Sequence, residues 1–288
     1  MSIWNDLTGL EFTLSMVDAG GVATRTLSAG VGPDVVFLHG TSGHLEAFTR
    51  NIRPHVEAGY RCHAIDLLGH GYTGKPDYPY EIPRYVEHLD AWLVAMGIDR
   101  PHLVGESLGG WVAGRFSWEQ PERVRSLQLI AAGGTKANPE VMERIKNSTT
   151  KAVLTDDISL TRDRLHLLMF DPAKDVSEEL VEVRYDIYHR PEFQKNLHNL
   201  LCLQNMEIRQ RNLMTTEQLA TITAPTLVIW GTNNPFGEVP EATAMHEAIA
   251  GSRLELFGEC GHWPQHERHD LYNPLALEFL ASVDDAEG

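Results

Sequence analysis

Residues 101–109 read Pro101-His102-Leu103-Val104-Gly105-Glu106-Ser107-Leu108-Gly109, and the chain continues into Trp111-Val112-Ala113. The apolar run has strand character and the segment after the serine has helical character, so the spelling is strand, sharp turn, helix. A serine at the apex of such a turn stands clear of the sheet in a strained backbone conformation. The flanking glycines leave room where side chains would meet the neighbouring strand and helix. The arrangement is that of an exposed nucleophile, Ser107.

Outward from this turn the strand signal repeats. Residues 35–38, 62–65, 102–104, 127–131 and 226–230 are continuous apolar runs of the kind buried in parallel strands. Residues 11–16 and 22–27 alternate polar and apolar around Asp18-Ala19-Gly20-Gly21, which predicts an antiparallel hairpin. Tyr85, Leu89, Trp92, Leu93 and Met96 recur at helical spacing before the serine strand. The alternation predicts an α/β chain: a mostly parallel sheet with helices on both faces. It lapses over 135–215, where residues 139–145, 160–169, 178–188 and 191–210 read as helices with no strand between them. A helical insertion after a strand of a parallel sheet stands above the strand ends, where ligands bind. The expected division is therefore a core of 1–134 and 216–288 with an inserted helical cap over 135–215.

A chain of 288 residues with 42% hydrophobic content fits one large globular domain with an insertion. The 40 acidic against 24 basic residues give a net charge of −16, and no basic patch is present. Nucleic acid and anionic membrane surfaces are accordingly excluded as partners, leaving a small-molecule substrate. The acidic end, Asp284-Asp285-Ala286-Glu287, reads as frayed, solvent-facing chain. Three dispersed cysteines without a C-x-x-C pair, and no leader-like N-terminus, suit a reducing cytoplasm. No apolar run approaches the ~18 residues of a membrane span. Fourteen histidines form no H-x-x-x-H or H-E-x-x-H, so no metal and no cofactor is expected.

A serine nucleophile needs a base, and the base needs an orienting partner. With the serine on a strand–helix turn, the base is expected last in the chain, in the loop after the final strand. Residues 253–257 are that strand, and Gly258-Glu259-Cys260-Gly261-His262-Trp263 is that loop, so His262 is the base. The oxyanion hole needs two backbone N–H groups: one from Leu108, after the nucleophile, and one from Thr41 in Phe37-Leu38-His39-Gly40-Thr41-Ser42-Gly43. Ser42 is a candidate substrate contact or a turn-stabilising hydroxyl. Asp66 in Asp66-Leu67-Leu68-Gly69-His70-Gly71 reads as a loop tie through backbone hydrogen bonds. The orienting acid belongs near 234 in Trp230-Gly231-Thr232-Asn233-Asn234-Pro235-Phe236-Gly237-Glu238. Asn234 occupies the position and Glu238 is the nearest carboxylate, and the role falls to one of the two.

Taken together, these residues resemble the α/β-hydrolase fold and, within it, the meta-cleavage product hydrolases, which cleave a C–C bond in 2-hydroxy-6-oxohexa-2,4-dienoates. The likeness spans nearly the whole chain. Its most specific element is Cys260-Gly261-His262-Trp263-Pro264-Gln265-His266-Glu267; a second is Glu178-Glu179-Leu180 with Arg184 and Pro191-Glu192. The resemblance implies that Arg184 anchors the dienoate carboxylate and Trp263 walls the pocket beside the base. It further implies that Met169 and Phe170 meet the distal substituent, and that the enzyme is a dimer or larger. Glu106, before the nucleophile, stands where many of these hydrolases have an asparagine that helps bind the dienoate. Three functions follow: C–C hydrolysis; a carboxylesterase or lactonase using the same Ser107 and His262; and a non-catalytic binder, suggested by Asn234 alone.

Overall fold

The computed structural model describes residues 2–287. One sheet holds β1 (Phe12–Ala19), β2 (Val22–Ala29), β3 (Asp34–Leu38), β4 (Arg61–Ile65), β5 (His102–Glu106), β6 (Ser126–Ile130), β7 (Thr226–Gly231) and β8 (Arg253–Phe257). The spatial order is β1-β2-β4-β3-β5-β6-β7-β8. β1 and β2 form the antiparallel hairpin, β2 meets β4 antiparallel, and every later pairing is parallel. The central strands β5, β6 and β7 are buried at every position, and mostly apolar, because both faces are covered. Val36 and Leu38 enter one core with residues of α2 (Ile82–Met96) and α3 (Leu108–Glu119). Val35 and Phe37 enter the other with residues of α1 (Thr49–Glu57) and the C-terminal helix. The two-residue period of a strand divides its side chains between the two layers.

The interval between β6 and β7 holds α4 (Pro139–Leu154), α5 (Ile158–His166), α6 (Pro172–Asp175), α7 (Glu178–Tyr188), α8 (Pro191–Leu200), α9 (Met206–Asn212) and α10 (Thr216–Leu219). No strand lies there among the described residues. The Met214 N–H donates to Gly134 O at 2.8 Å, so the two stems of this segment lie side by side. Then follow α11 (Val239–Ala248), α12 (Pro264–Glu267) and α13 (His269–Glu287).

Three sequence expectations change. The helix expected over 191–210 is two helices, because Asn205 caps α9 by accepting the Ile208 N–H at 3.2 Å. The helix expected to reach 169 stops at His166, and the chain beyond it braces the histidine loop. The acidic end is not frayed: Asp284 lies within α13, accepts the Tyr60 hydroxyl at 3.0 Å and pairs with Arg125 at 2.8 Å. No helix of the described residues is long and apolar enough to cross a membrane.

Candidate active site

β5 ends at Glu106, and Ser107 turns the chain into α3 with φ 52° and ψ −109°. This left-handed conformation, rare for a residue with a side chain, is held from both sides. Ser107 N–H donates to Ile130 O at 2.9 Å, and Ser107 O accepts the Gly133 N–H at 3.0 Å. A methyl group at Gly105 would meet the Gly109 carbonyl, and one at Gly109 would meet that of Leu38. The strain is thus imposed by the close crossing of β3, β5 and α3, and it leaves Ser107 half-buried at the meeting point of two cavities.

His262 arrives from the loop after β8. Its N–H donates to Leu168 O at 2.7 Å. The Glu267 carboxylate accepts the N–H groups of Gly261 (2.9 Å), Trp263 (2.9 Å) and Phe170 (2.7 Å). Glu267 therefore fixes the histidine loop from both flanks; it is the last residue of the motif quoted above. Phe236 packs edge-on against the imidazole at 4.9 Å. Burial, and then Arg164, push the His262 pKa down to about 3, so the ring is neutral at pH 7.

Asn234, not Glu238, meets His262. Nδ1 lies 2.9 Å from Asn234 Oδ1. The same Oδ1 accepts the Phe236 N–H at 3.0 Å, which fixes the amide with its oxygen toward the ring. Nδ1 must then carry the proton, and Nε2 presents the lone pair a base requires. Glu238 caps α11 in a reciprocal box with Glu241.

On the opposite side of the ring, Nε2 lies 3.3 Å from Glu106 Oε1. Glu106 is fully buried, and neither carboxyl oxygen has a well-formed hydrogen bond. Its oxygens lie against Gly40, where any side chain would collide with them. Burial pushes the carboxyl up to about 8, against the opposing pulls of the Gly40 N–H, Arg184 and Arg164.

Thr41 lines both cavities and Leu108 the larger. Leu108 opens α3, where a helical N–H has no intrahelical acceptor. Ser42 faces away from both cavities: its Oγ accepts the Tyr188 hydroxyl at 3.0 Å, joining the His39–Gly43 turn to α7. Arg184 is 1% exposed and touches Tyr188 Oη at 3.3 Å, with its guanidinium 5.5 Å from the Trp263 ring centre. Its Nε and Nη2 have no partner. Trp263 walls the smaller cavity beside His262.

Met169 and Phe170 line neither cavity; Leu168 does. Met169 is buried in the core, and Phe170 is 45% exposed with its N–H held by Glu267. The stretch supplies backbone to the histidine loop, and that fixes where its side chains point.

Arg164 is a residue the sequence reading missed. It is 3% exposed, lines the smaller cavity, holds Thr149 Oγ1 at 3.3 Å through Nε, and has an unpartnered Nη1. The signal was available: Thr161, Arg164 and Leu165 share one face of α5 at helical spacing, and that face is buried. Asp66 ties its loop as read, accepting the Leu45 N–H at 2.7 Å and the Tyr72 N–H at 2.8 Å.

A strained serine after the central parallel strand, with a buried histidine from the last loop beside it, defines a hydrolase of the α/β class. Residues 33–269 match the family model described as alpha/beta hydrolase fold, and the chain belongs to that family. The 2-hydroxy-6-oxo-6-phenylhexa-2,4-dienoate hydrolase of Comamonas testosteroni is 33% identical over 262 residues, 88% of this chain and 89% of that protein. The 2-hydroxy-6-oxononadienedioate/2-hydroxy-6-oxononatrienedioate hydrolase of the same organism is 31% identical over 98% of this chain and all of that protein. Among solved structures, the meta-cleavage product hydrolase of Pseudomonas fluorescens superposes with a TM-score of 0.79 at 28% identity. It covers 94% of this chain and 98% of that one.

Proposed function

We propose that this protein hydrolyses a C–C bond in a 2-hydroxy-6-oxohexa-2,4-dienoate-type product of aromatic ring fission. The observation that carries the reading is the pair of buried guanidiniums with unpartnered N–H groups: Arg164 lines the chamber that holds Ser107 and His262, and Arg184, which lines neither cavity, packs on that chamber's Trp263 wall. A buried cation with free donors is costly unless an anion completes it, and a planar guanidinium is matched by a carboxylate. The dienoate carboxylate is that anion, and the names of the relatives describe such substrates.

The reaction runs from the residues upward. Arg184 and Arg164 hold the carboxylate, and Trp263 packs beside the dienoate. Once the enol has become the keto form, His262 takes a proton at Nε2 from Ser107 Oγ or from a water beside it. The oxygen adds to the distal ketone, and the N–H groups of Thr41 and Leu108 receive the negative charge. The C–C bond then breaks toward the dienoate, which takes the proton back from His262 and leaves as 2-hydroxypenta-2,4-dienoate. With water as the nucleophile the carboxylic acid is released at once; with Ser107, a water activated by His262 then hydrolyses the acyl-serine to that acid. Residues 135–215 act as the cap that closes the site. The three free, buried cysteines suit a reducing cytoplasm. Phe12, Leu14 and Met16 form an exposed apolar stripe on edge strand β1, a surface for a homo-oligomer.

A panel of catechol ring-fission products, followed by loss of visible absorbance, tests this. Wild type is expected to bleach at least one member, and Ser107→Ala to lose ~10³-fold or more. Bleaching of none would sink the reading. A second reading, a carboxylesterase or lactonase on the same pair, is favoured by one observation: Glu106 stands where a substrate carboxylate would come close. Rapid hydrolysis of p-nitrophenyl esters with no bleaching would select it.

A further inference from the structure

His262 has a different partner on each ring nitrogen. On Nδ1 stands a neutral amide, whose orientation Phe236 fixes. Asn234 holds the ring in its working tautomer but brings no charge to an imidazolium. In a serine protease the corresponding Asp-to-Asn change costs about 10⁴ in turnover, through the wrong tautomer. Here the tautomer is correct and only the charge is missing. Near Nε2, at 3.3 Å, stands a carboxyl group buried to 0% exposure with no well-formed hydrogen bond to either oxygen. A lone pair on nitrogen and a carboxylate oxygen at this separation repel unless one of the two groups carries a proton. Hydrogen bonds of this kind are often poorly aligned before substrate binds. Among the described residues, Ser107 Oγ makes no side-chain hydrogen bond, and the Nε2–Glu106 contact at 3.3 Å is close but not aligned as a hydrogen bond.

We propose that Glu106 is a catalytic residue: it shares one proton with His262 Nε2 in the resting enzyme and, as a carboxylate, balances the charge that His262 acquires from the nucleophile. The inference rests on the assignment of Ser107 and His262 made above. The accounting is closed. In the resting form the proton lies on Glu106 and occupies the Nε2 lone pair. Loss of that proton to solvent frees Nε2. When the Ser107 O–H bond breaks, the proton passes to Nε2 while Oγ bonds to the substrate carbon and the carbonyl electron pair moves to oxygen. The imidazolium so formed faces a carboxylate on the Nε2 side and an amide on the Nδ1 side.

In this chain the carboxyl group beside the imidazole stands on the residue before the nucleophile, and the loop after β7 offers the ring an amide. The groups facing Glu106 are His262 from the loop after β8, Arg164 from α5, Arg184 from α7, and the Gly40 backbone from the turn after β3. Both arginines favour the ionised carboxyl and burial opposes it, placing its titration near 8. Activity is therefore expected to climb through that region as pH rises.

The test uses the full chain and the rate at which a fluorescent organophosphonate labels Ser107, with Ser107→Ala as the blank. This readout needs the nucleophile and base but no dienoate. Across pH 5–10, wild type is expected to label faster as pH rises through about 8. Glu106→Gln, which keeps the shape and removes the charge, is expected to lose roughly 10²-fold at high pH, and its rise near pH 8 disappears. Adding Asn234→Asp to Glu106→Gln restores a charge on the other nitrogen and is expected to recover at least ~10-fold. That recovery also shows that the variant is folded. Three results overturn the proposal: Glu106→Gln labelling at the wild-type rate, a pH profile unchanged by the substitution, or a folded double variant with no recovery. Failure of wild type to label at all would overturn the Ser107 assignment, and this inference with it; the other outcomes leave that assignment standing.

Discussion

The two cavities that meet at Ser107 differ in kind. The smaller spans about 320 Å³ out to its open mouth and is walled by Glu106, Arg164, Leu168 and Trp263, with Arg184 packed on Trp263. Its charged groups are all buried, and each keeps polar atoms without a partner: both Glu106 oxygens, Arg164 Nη1, and Arg184 Nε and Nη2. The larger, about 650 Å³, is walled by Trp111, Val141 and Leu203, with Lys136, Arg209 and Glu241 at its margin. Those charges are occupied: Arg209 donates to Lys136 O at 2.8 Å, and Lys136 lies 3.8 Å from Glu241. Unsatisfied buried charge marks a place that a ligand completes; satisfied charge beside apolar wall marks a place that a ligand merely fills. On the proposed function, the first chamber takes the dienoate head and the second takes the variable substituent.

The largest expected effect breaks the recognition end. Arg164→Ala and Arg184→Ala each leave a substrate carboxylate short of a buried partner, a loss of roughly 10²–10³ in kcat/KM. The same variants should hydrolyse a neutral ester within a few-fold of wild type. Steady-state kinetics on both substrates decides it: equal losses on both would mean the arginines support the fold rather than recognise a carboxylate.

Val141→Phe should act at the other end. It narrows the larger chamber while leaving the head groups in place. A dienoate with a bulky distal substituent is expected to lose about 10-fold in kcat/KM, whereas one with a methyl group changes little, since one or two methylenes in an apolar pocket are worth that much. If both substrates fall together, the two chambers are not separate in function.

The sequence carried the first of these regions only in part, and the reasons are physical. The parallel strands were legible because burial on both faces leaves a continuous apolar run, and the serine turn because its crossing tolerates no side chains. His262 followed from chain order. Asn234 and Glu238 stayed undecided because both sit on one loop, and only the Phe236 N–H and the α11 cap separate them. Met169 and Phe170 were misplaced because the need for backbone at Leu168 O and Phe170 N outranked their apolar side chains. Arg164 was passed over because a cation on a buried helical face runs against composition, although the spacing of its buried neighbours marked that face.

The smallest effect sharpens the comparison through stability. The chamber's foundations are titratable: His39, His44 and His70 are buried and held neutral, the latter two with pKa near 4 and 3. An unfolded chain protonates histidine near pH 6.5, so it binds more protons than the folded one below that value. Stability should therefore fall as pH drops from about 6.5 toward 4. Glu106 has the opposite sign. Its folded value near 8 lies above its ordinary 4.5, so the folded chain keeps a proton that the unfolded one sheds. Its contribution is full below about 4.5 and is lost as pH rises through 8. Glu106→Gln has no such loss. The urea midpoint of Glu106→Gln relative to wild type is therefore expected to climb between pH 5 and 8 and then level off, while both proteins share the same acid-side decline. A constant offset across that range would mean that Glu106 titrates as an ordinary carboxylate, and the contrast between a strained recognition chamber and a relaxed one would then rest on the arginines alone.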